Sequence, residues 1–138
     1  MVKRLLLFLA VGALLPGCSS LATHRDGELG QVHRVYVEHR LTDNHRIDDL
    51  IVGELKARGY EATSGPLTML PEGVDAVISY QDRWAWDFKN YLIDLSLEMH
   101  ATYTEKPLAT GSYHQAAALT KSPATVVAEL ITKLFPRR

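Results

Sequence analysis

Tyr91, Ile93, Leu95, Leu97, Met99, Ala101 and Tyr103 form one row at period two, and Asp94, Ser96, Glu98, His100, Thr102 and Thr104 form the other. Leu92 alone falls out of place. At about 3.3 Å per residue the run predicts a strand roughly 40 Å long, well beyond the usual five or six residues. Such a strand is buried on one face and wet on the other, the pattern of an antiparallel sheet covered on one side. The remaining elements must supply that cover.

Upstream, Ala76, Ile78, Tyr80, Trp84 and Trp86 alternate with Val77, Ser79, Gln81, Arg83 and Asp87, which predicts the hairpin partner. Asp82 interrupts the apolar row and marks a bulge or a strand end. Glu105-Lys106-Pro107 reads as a tight reversal into a strand over Leu108 to Leu119. A two-residue turn puts Leu108, Ser112 and His114 on the apolar side. A three-residue turn puts Ala109, Gly111 and Tyr113 there, and that register packs better. Residues 32–39 and Tyr60 to Thr63 complete the strands, with a breaker-rich loop over residues 65–73.

Two helices are available as cover. Thr42, Asp43 and Asn44 offer N-caps ahead of Ile47, Leu50, Ile51 and Leu55, and Arg58-Gly59 suits the helix end. Ser122 as N-cap and Pro123 as first helical residue open a second helix with the stripe Val126, Val127, Leu130, Ile131, Leu134. The order is β-α-β-β-β-β-α. It predicts an α+β domain in which a single mixed, mostly antiparallel sheet carries two helices on one face, the β-α-β unit supplying any parallel pair.

The amino-terminal segment belongs to a different category. Lys3 and Arg4 precede an apolar run from Leu5 to Leu15, too short to span a hydrocarbon core of about 30 Å. That is the form of a secretory signal. Cys18, the chain's one cysteine, follows directly in Leu15-Pro16-Gly17-Cys18. An ordinary cleaved signal with an incidental cysteine, or an uncleaved anchor, are the plainer readings. The run resembles the lipobox of bacterial lipoproteins, although Pro16 stands where a small or β-branched residue is usual. The resemblance implies cleavage after Gly17, diacylglyceryl transfer to the Cys18 thiol and acylation, commonly with palmitate, of the new amino terminus. Three acyl chains exceed what stable anchoring needs. Ser19, by the same resemblance, directs the lipoprotein to the outer membrane, where an aspartate would favour retention at the inner one. The organisation expected is therefore a signal peptide over 1–17, a lipidated cysteine and tether over 18–30, and a periplasmic α/β domain over 31–138.

Leu55-Lys56-Ala57-Arg58-Gly59-Tyr60 closing the first helix and Asp75-Ala76-Val77-Ile78 opening the hairpin fit the same element order. With the lipobox, that order is loosely similar to LptE-type lipopolysaccharide-assembly lipoproteins and to TolB amino-terminal-type domains. No functional residue transfers from either.

Composition excludes several classes. Lys and Arg total 15 against 16 Asp and Glu, and loss of Lys3 and Arg4 with the leader makes the balance still more acidic. A nucleic-acid partner is not expected. With Cys18 acylated, no thiol remains for a disulfide, a nucleophile or a metal. The histidines at 24, 33, 39, 45, 100 and 114 show no helical H-x-x-x-H pair, and His33 and His39 lie about 20 Å apart by strand rise. Asp94 and Glu98, four residues apart in a strand, are separated by about 13 Å, too far for a paired-carboxylate mechanism. Neither metal, cofactor nor enzymatic chemistry is expected. Arg137 and Arg138 read as a solubilising tail, or as contacts to lipid phosphate near the anchor.

Tyr80, Trp84, Trp86 and Tyr91 form the most distinctive cluster and the candidate contact site. Packing beneath a helix is one reading, and an exposed patch for a partner or ligand is the other. The function expected is a non-enzymatic outer-membrane lipoprotein binding another envelope component in assembly or transport, through the polar face and edges of the long hairpin. The alternative is a small-ligand binder for glycan, lipid or lipopolysaccharide at Trp84 and Trp86. Oligomeric state is not legible.

Overall fold

The computed structural model describes residues 19–116 and 121–137, so Cys18, the leader, the end of the last strand as read from the sequence, and Arg138 lie outside the described residues. Six strands form one mixed sheet: β1 (Ser19–Arg25), β2 (Arg34–Glu38), β3 (Glu61–Gly65), β4 (Ala76–Trp86), β5 (Asn90–Ala101) and β6 (Pro107–Gln115). Their spatial order is β1-β6-β5-β4-β2-β3. Helices α1 (Ile47–Ala57) and α2 (Pro123–Leu134) pack on one face. The α+β class and the two helices on one face are those expected from the sequence, and so, from β2 onward, is the order of strands and α-helices.

Three details differ. The segment read as a tether is a strand: Ser19 to Arg25 pairs antiparallel with β6, from Ser19↔Gln115 to Arg25↔Ala109. The pairing satisfies the outer backbone of β6, Leu21 lies half-buried opposite Tyr113, and Arg25 donates to the Lys133 carbonyl at 3.0 Å. The element order is thus β1 followed by the expected series. Second, β2 is parallel to β4 as well as to β3, so the β-α-β unit does not supply every parallel pair. Third, Leu92 is fully buried, whereas Tyr91 and Ile93 are only half-buried. The register slips between Arg83↔Asp94 and Trp84↔Leu92, which leaves Ile93 as an extra residue in β5. That bulge, one residue beyond Asp82, reverses the parity of the strand end.

The β6 register is the one with Ala109, Gly111 and Tyr113 inward, and all three are buried. Gly111 lets α2 sit close to β6: a Cβ there would lie 2.8 Å from Leu134 Cδ1 and 3.2 Å from Leu130 Cδ2, so both leucine ends would have to shift. Gly111→Val should therefore cost about 1–3 kcal/mol through overpacking. A lowered urea midpoint with an unchanged slope would show it; an unchanged midpoint would mean that α2 yields.

Candidate functional site

The start of β1, the end of β6, the start of α2 and the β4–β5 turn share one end of the sheet. Ser19 faces Gln115, the Gln115 amide donates to the Leu92 carbonyl at 2.7 Å, and Lys121 N–H donates to Gln115 Oε1 at 3.1 Å. Chain direction fixes this arrangement, because β1 and β5 both run away from that end while β4 and β6 run toward it. Helix α2 runs away from it too, so Arg137 lies at the opposite end, near the Arg25–Lys133 contact. Arg137 thus stands at the end of the sheet away from Ser19.

The aromatic cluster read from the sequence divides into three environments. Tyr80 is buried and donates to Asp43 Oδ2 at 2.7 Å. Trp84 is half-buried, stacked on the His45 ring at 3.6 Å between centroids, and its Nε1 donates to Asp82 Oδ2 at 2.6 Å. Trp86 is 71% exposed and lies 6.1 Å from the ring of Phe88, itself 93% exposed. Tyr91 pairs with Ala85, and so points to the sheet face opposite Trp84 and Trp86. The four residues do not form one patch. Phe88 was not singled out from the sequence, although a phenylalanine between Asp87 and Lys89 in a turn is a visible anomaly.

Asp43 organises the loop before α1. The helix N-cap position is Arg46, in a left-handed conformation (φ 56) with no side-chain cap bond. Asp43 caps from further back, accepting from Ile47 N–H at 2.7 Å through Oδ2 and from His45 N–H at 2.7 Å through Oδ1. Burial alone would raise its carboxyl pKa; the Tyr80 hydroxyl and the backbone N–H groups outweigh burial and hold it below the usual range. Burial, and then the bond to Asp43, push the Tyr80 hydroxyl up. Arg40 Nη1 donates to Asp82 Oδ1 at 2.7 Å, tying the same loop to β4.

Asp43, His45 and Asp82 bring three potential ligand atoms within 4.8 Å of one another. Two carboxylates and an imidazole suit a borderline divalent ion. Here all four carboxylate oxygens already accept from Arg40, Trp84, Tyr80 or backbone N–H groups. An ion would have to displace those donors. The group serves to clamp the loop to the sheet.

The face away from the helices is a polar surface laid out in rows. Gln81, Ser96, Ser112 and Ala22 stand in register across β4, β5, β6 and β1. One neighbouring row is Arg83, Asp94, His114 and Ser20, in which Asp94 pairs with both Arg83 and His114. Burial would raise the Asp94 carboxyl, but the His114 and Arg83 bonds outweigh it and hold the pKa low. The other neighbouring row is Ser79, Glu98, Thr110 and His24. A trough of uncharged side chains, small in β1, β5 and β6, is thus flanked by the Arg83–Asp94 pair on one side and by Glu98 on the other. Beyond it, a groove of about 550 Å³ opens between Leu67 and Leu70 on one side and Val77, His100 and Thr102 on the other. The edges of the hairpin are less available than the sequence suggests: β5 lies between β4 and β6, and β6 is covered by β1. No strand pairs with the outer side of β4 beyond Ile78 among the described residues. Nor, among those residues, is any helix long and apolar enough to cross a membrane.

No protein-family model and no curated protein matches the sequence. Solved structures do share the fold. The PelC dodecamer from Paraburkholderia phytofirmans superposes with a TM-score of 0.65 at 13% identity, covering 88% of this chain and 100% of that one. A methionine-substituted PelC dodecamer gives 0.66 at 12% identity over the same shares. TolB from Acinetobacter baumannii gives 0.50 at 14% identity, covering 85% of this chain and 31% of TolB. At these identities the likeness is one of fold, and the TolB similarity read from the element order is present at that level.

Proposed function

We propose that this chain is a non-enzymatic lipoprotein of the outer membrane, its domain facing the periplasm, that binds another envelope protein in assembly or transport. One observation carries the reading. Both helices cover the same face of the sheet, and among the described residues no helix covers the opposite face over β4, β5, β6 and β1, where a row of uncharged side chains runs beside the Arg83–Asp94 pair. Only at β2, where Tyr36 is buried and bonded to the Pro66 carbonyl, does a loop close over it. The titratable groups at the anchored end support a role without chemistry, since Asp43, Asp82 and Asp94 each accept from structural donors. PelC structures of this fold are dodecamers, which makes a second copy of this chain the first partner to test.

The test uses the lipidated protein extracted in mild detergent. Wild type should sediment as an assembly larger than one chain in its micelle. Ser96→Arg, placing a long cation in the centre of the trough, should reduce it to the single chain without shifting thermal unfolding. An assembly that survives Ser96→Arg would remove the trough as the contact; a wild-type chain that sediments alone would remove a second copy as the partner.

A further inference from the structure

We propose that the β4–β5 turn is a second, non-covalent membrane contact, seating Trp86 and Phe88 in the phospholipid interface beside the lipid on Cys18. The inference rests on the reading of Cys18 as the acylated residue. It follows from the absence of slack in the anchor. Ser19 is already paired with Gln115, and Cys18 is one Cα step of about 3.8 Å away. A lipid on that residue holds this end of the sheet against the bilayer, where a flexible tether would let the domain tumble.

The β4–β5 turn lies at the same end. From the level of Gln115 the hairpin runs on for two to three residues to the Trp86↔Asn90 pair, roughly 7–10 Å at about 3.3 Å per residue. That overhang matches the depth of about 5–10 Å at which apolar groups sit in the headgroup–acyl boundary. Laterally, β4 stands three strand spacings from β1, about 14 Å. Covalent anchor and hairpin tip are thus two separated footholds.

The tip has the side chains for that position. Trp86 and Phe88 are neighbours, largely exposed, and contribute little to the core. Lys89 follows them and is also exposed, a cation at headgroup level. Phe88 occupies the left-handed region (φ 58), where a bulky residue is strained and glycine or asparagine is the ordinary choice. A strained aromatic presented to water is poorly explained by folding; an aromatic presented to an interface is well explained, since such rings concentrate at headgroup level.

The chain has two tryptophans, which makes the test direct. The full lipidated protein is reconstituted into phosphatidylcholine–phosphatidylglycerol vesicles carrying lipids brominated close to the glycerol, and compared with Trp86→Phe. Both should float with the vesicles. About half of the wild-type indole emission should be blue-shifted and quenched, and Trp86→Phe should abolish that quenching. A protein that floats with Trp86 unquenched overturns the proposal while leaving the anchor intact, as does recovery of Trp86 cross-linked to a protein in place of lipid. A protein that does not float overturns the anchor, and the proposal with it.

Discussion

Asp43→Ala should destabilise the domain by about 3 kcal/mol, by far more than an ordinary surface substitution. The carboxylate does two jobs at once. It caps the start of α1 through the Ile47 and His45 N–H groups, a role worth about 0.5–2 kcal/mol. It also accepts from the buried Tyr80 hydroxyl, which alanine would leave without that partner at about 1–3 kcal/mol. For a domain of this size the loss corresponds to a fall of roughly 10–15 °C in Tm. Asp43→Asn keeps the shape and an acceptor, and should cost about 1 kcal/mol at neutral pH. Because folding lowers the Asp43 pKa, its ionised form contributes stability above the unfolded carboxylate range near 3.9, and loses it as pH falls through the folded value. The gap in Tm between wild type and Asp43→Asn should therefore be full at neutral pH and close in acid. Thermal unfolding followed by circular dichroism at both ends of that range is the check; an equal gap at both would show that the carboxylate is not held ionised.

Cys18→Ser should abolish lipid incorporation entirely. On the proposed reading, the leader, the small residue at Gly17 and the thiol at Cys18 together mark the acylation site, and a serine, having no sulfur, cannot form the thioether to the diacylglyceryl group. Growth with a labelled fatty acid should mark the wild-type chain and leave Cys18→Ser unmarked and absent from the washed outer-membrane fraction. Equal labelling of both would place the lipid elsewhere or show that none is attached. The effect reaches beyond location, because without the acyl chains the Trp86–Phe88 tip would have to hold the bilayer alone.

The parts of the fold that the sequence makes legible are those in which local chemistry and global structure agree. Period-two alternation from Asp75 to Thr104, the stripes of both helices and the Ser122-Pro123 start all carry enough local signal to place themselves. Strand β1 carries almost none. Leu21 is its one large apolar residue, and its reason for being extended lies in β6, about ninety residues away in sequence. The Ile93 bulge is likewise a property of the pair of strands, so Leu92 looked misplaced when it was the buried residue. The aromatic cluster shows the same limit: spacing grouped Tyr80, Trp84, Trp86 and Tyr91, whereas burial, the Asp43 loop and the change of parity separate them. Phe88 escaped notice because an aromatic in a turn has no periodic partner to mark it.

The bare face of the sheet is best tested in the cell. A photo-cross-linking residue at Gln81, in the trough, is compared with one at Lys56, on the exposed side of α1. If the domain works through its uncovered face, illumination should join Gln81 to a discrete protein, another copy of the chain or a different envelope component, and leave Lys56 essentially unlinked. Adducts from Lys56 with none from Gln81 would contradict that account.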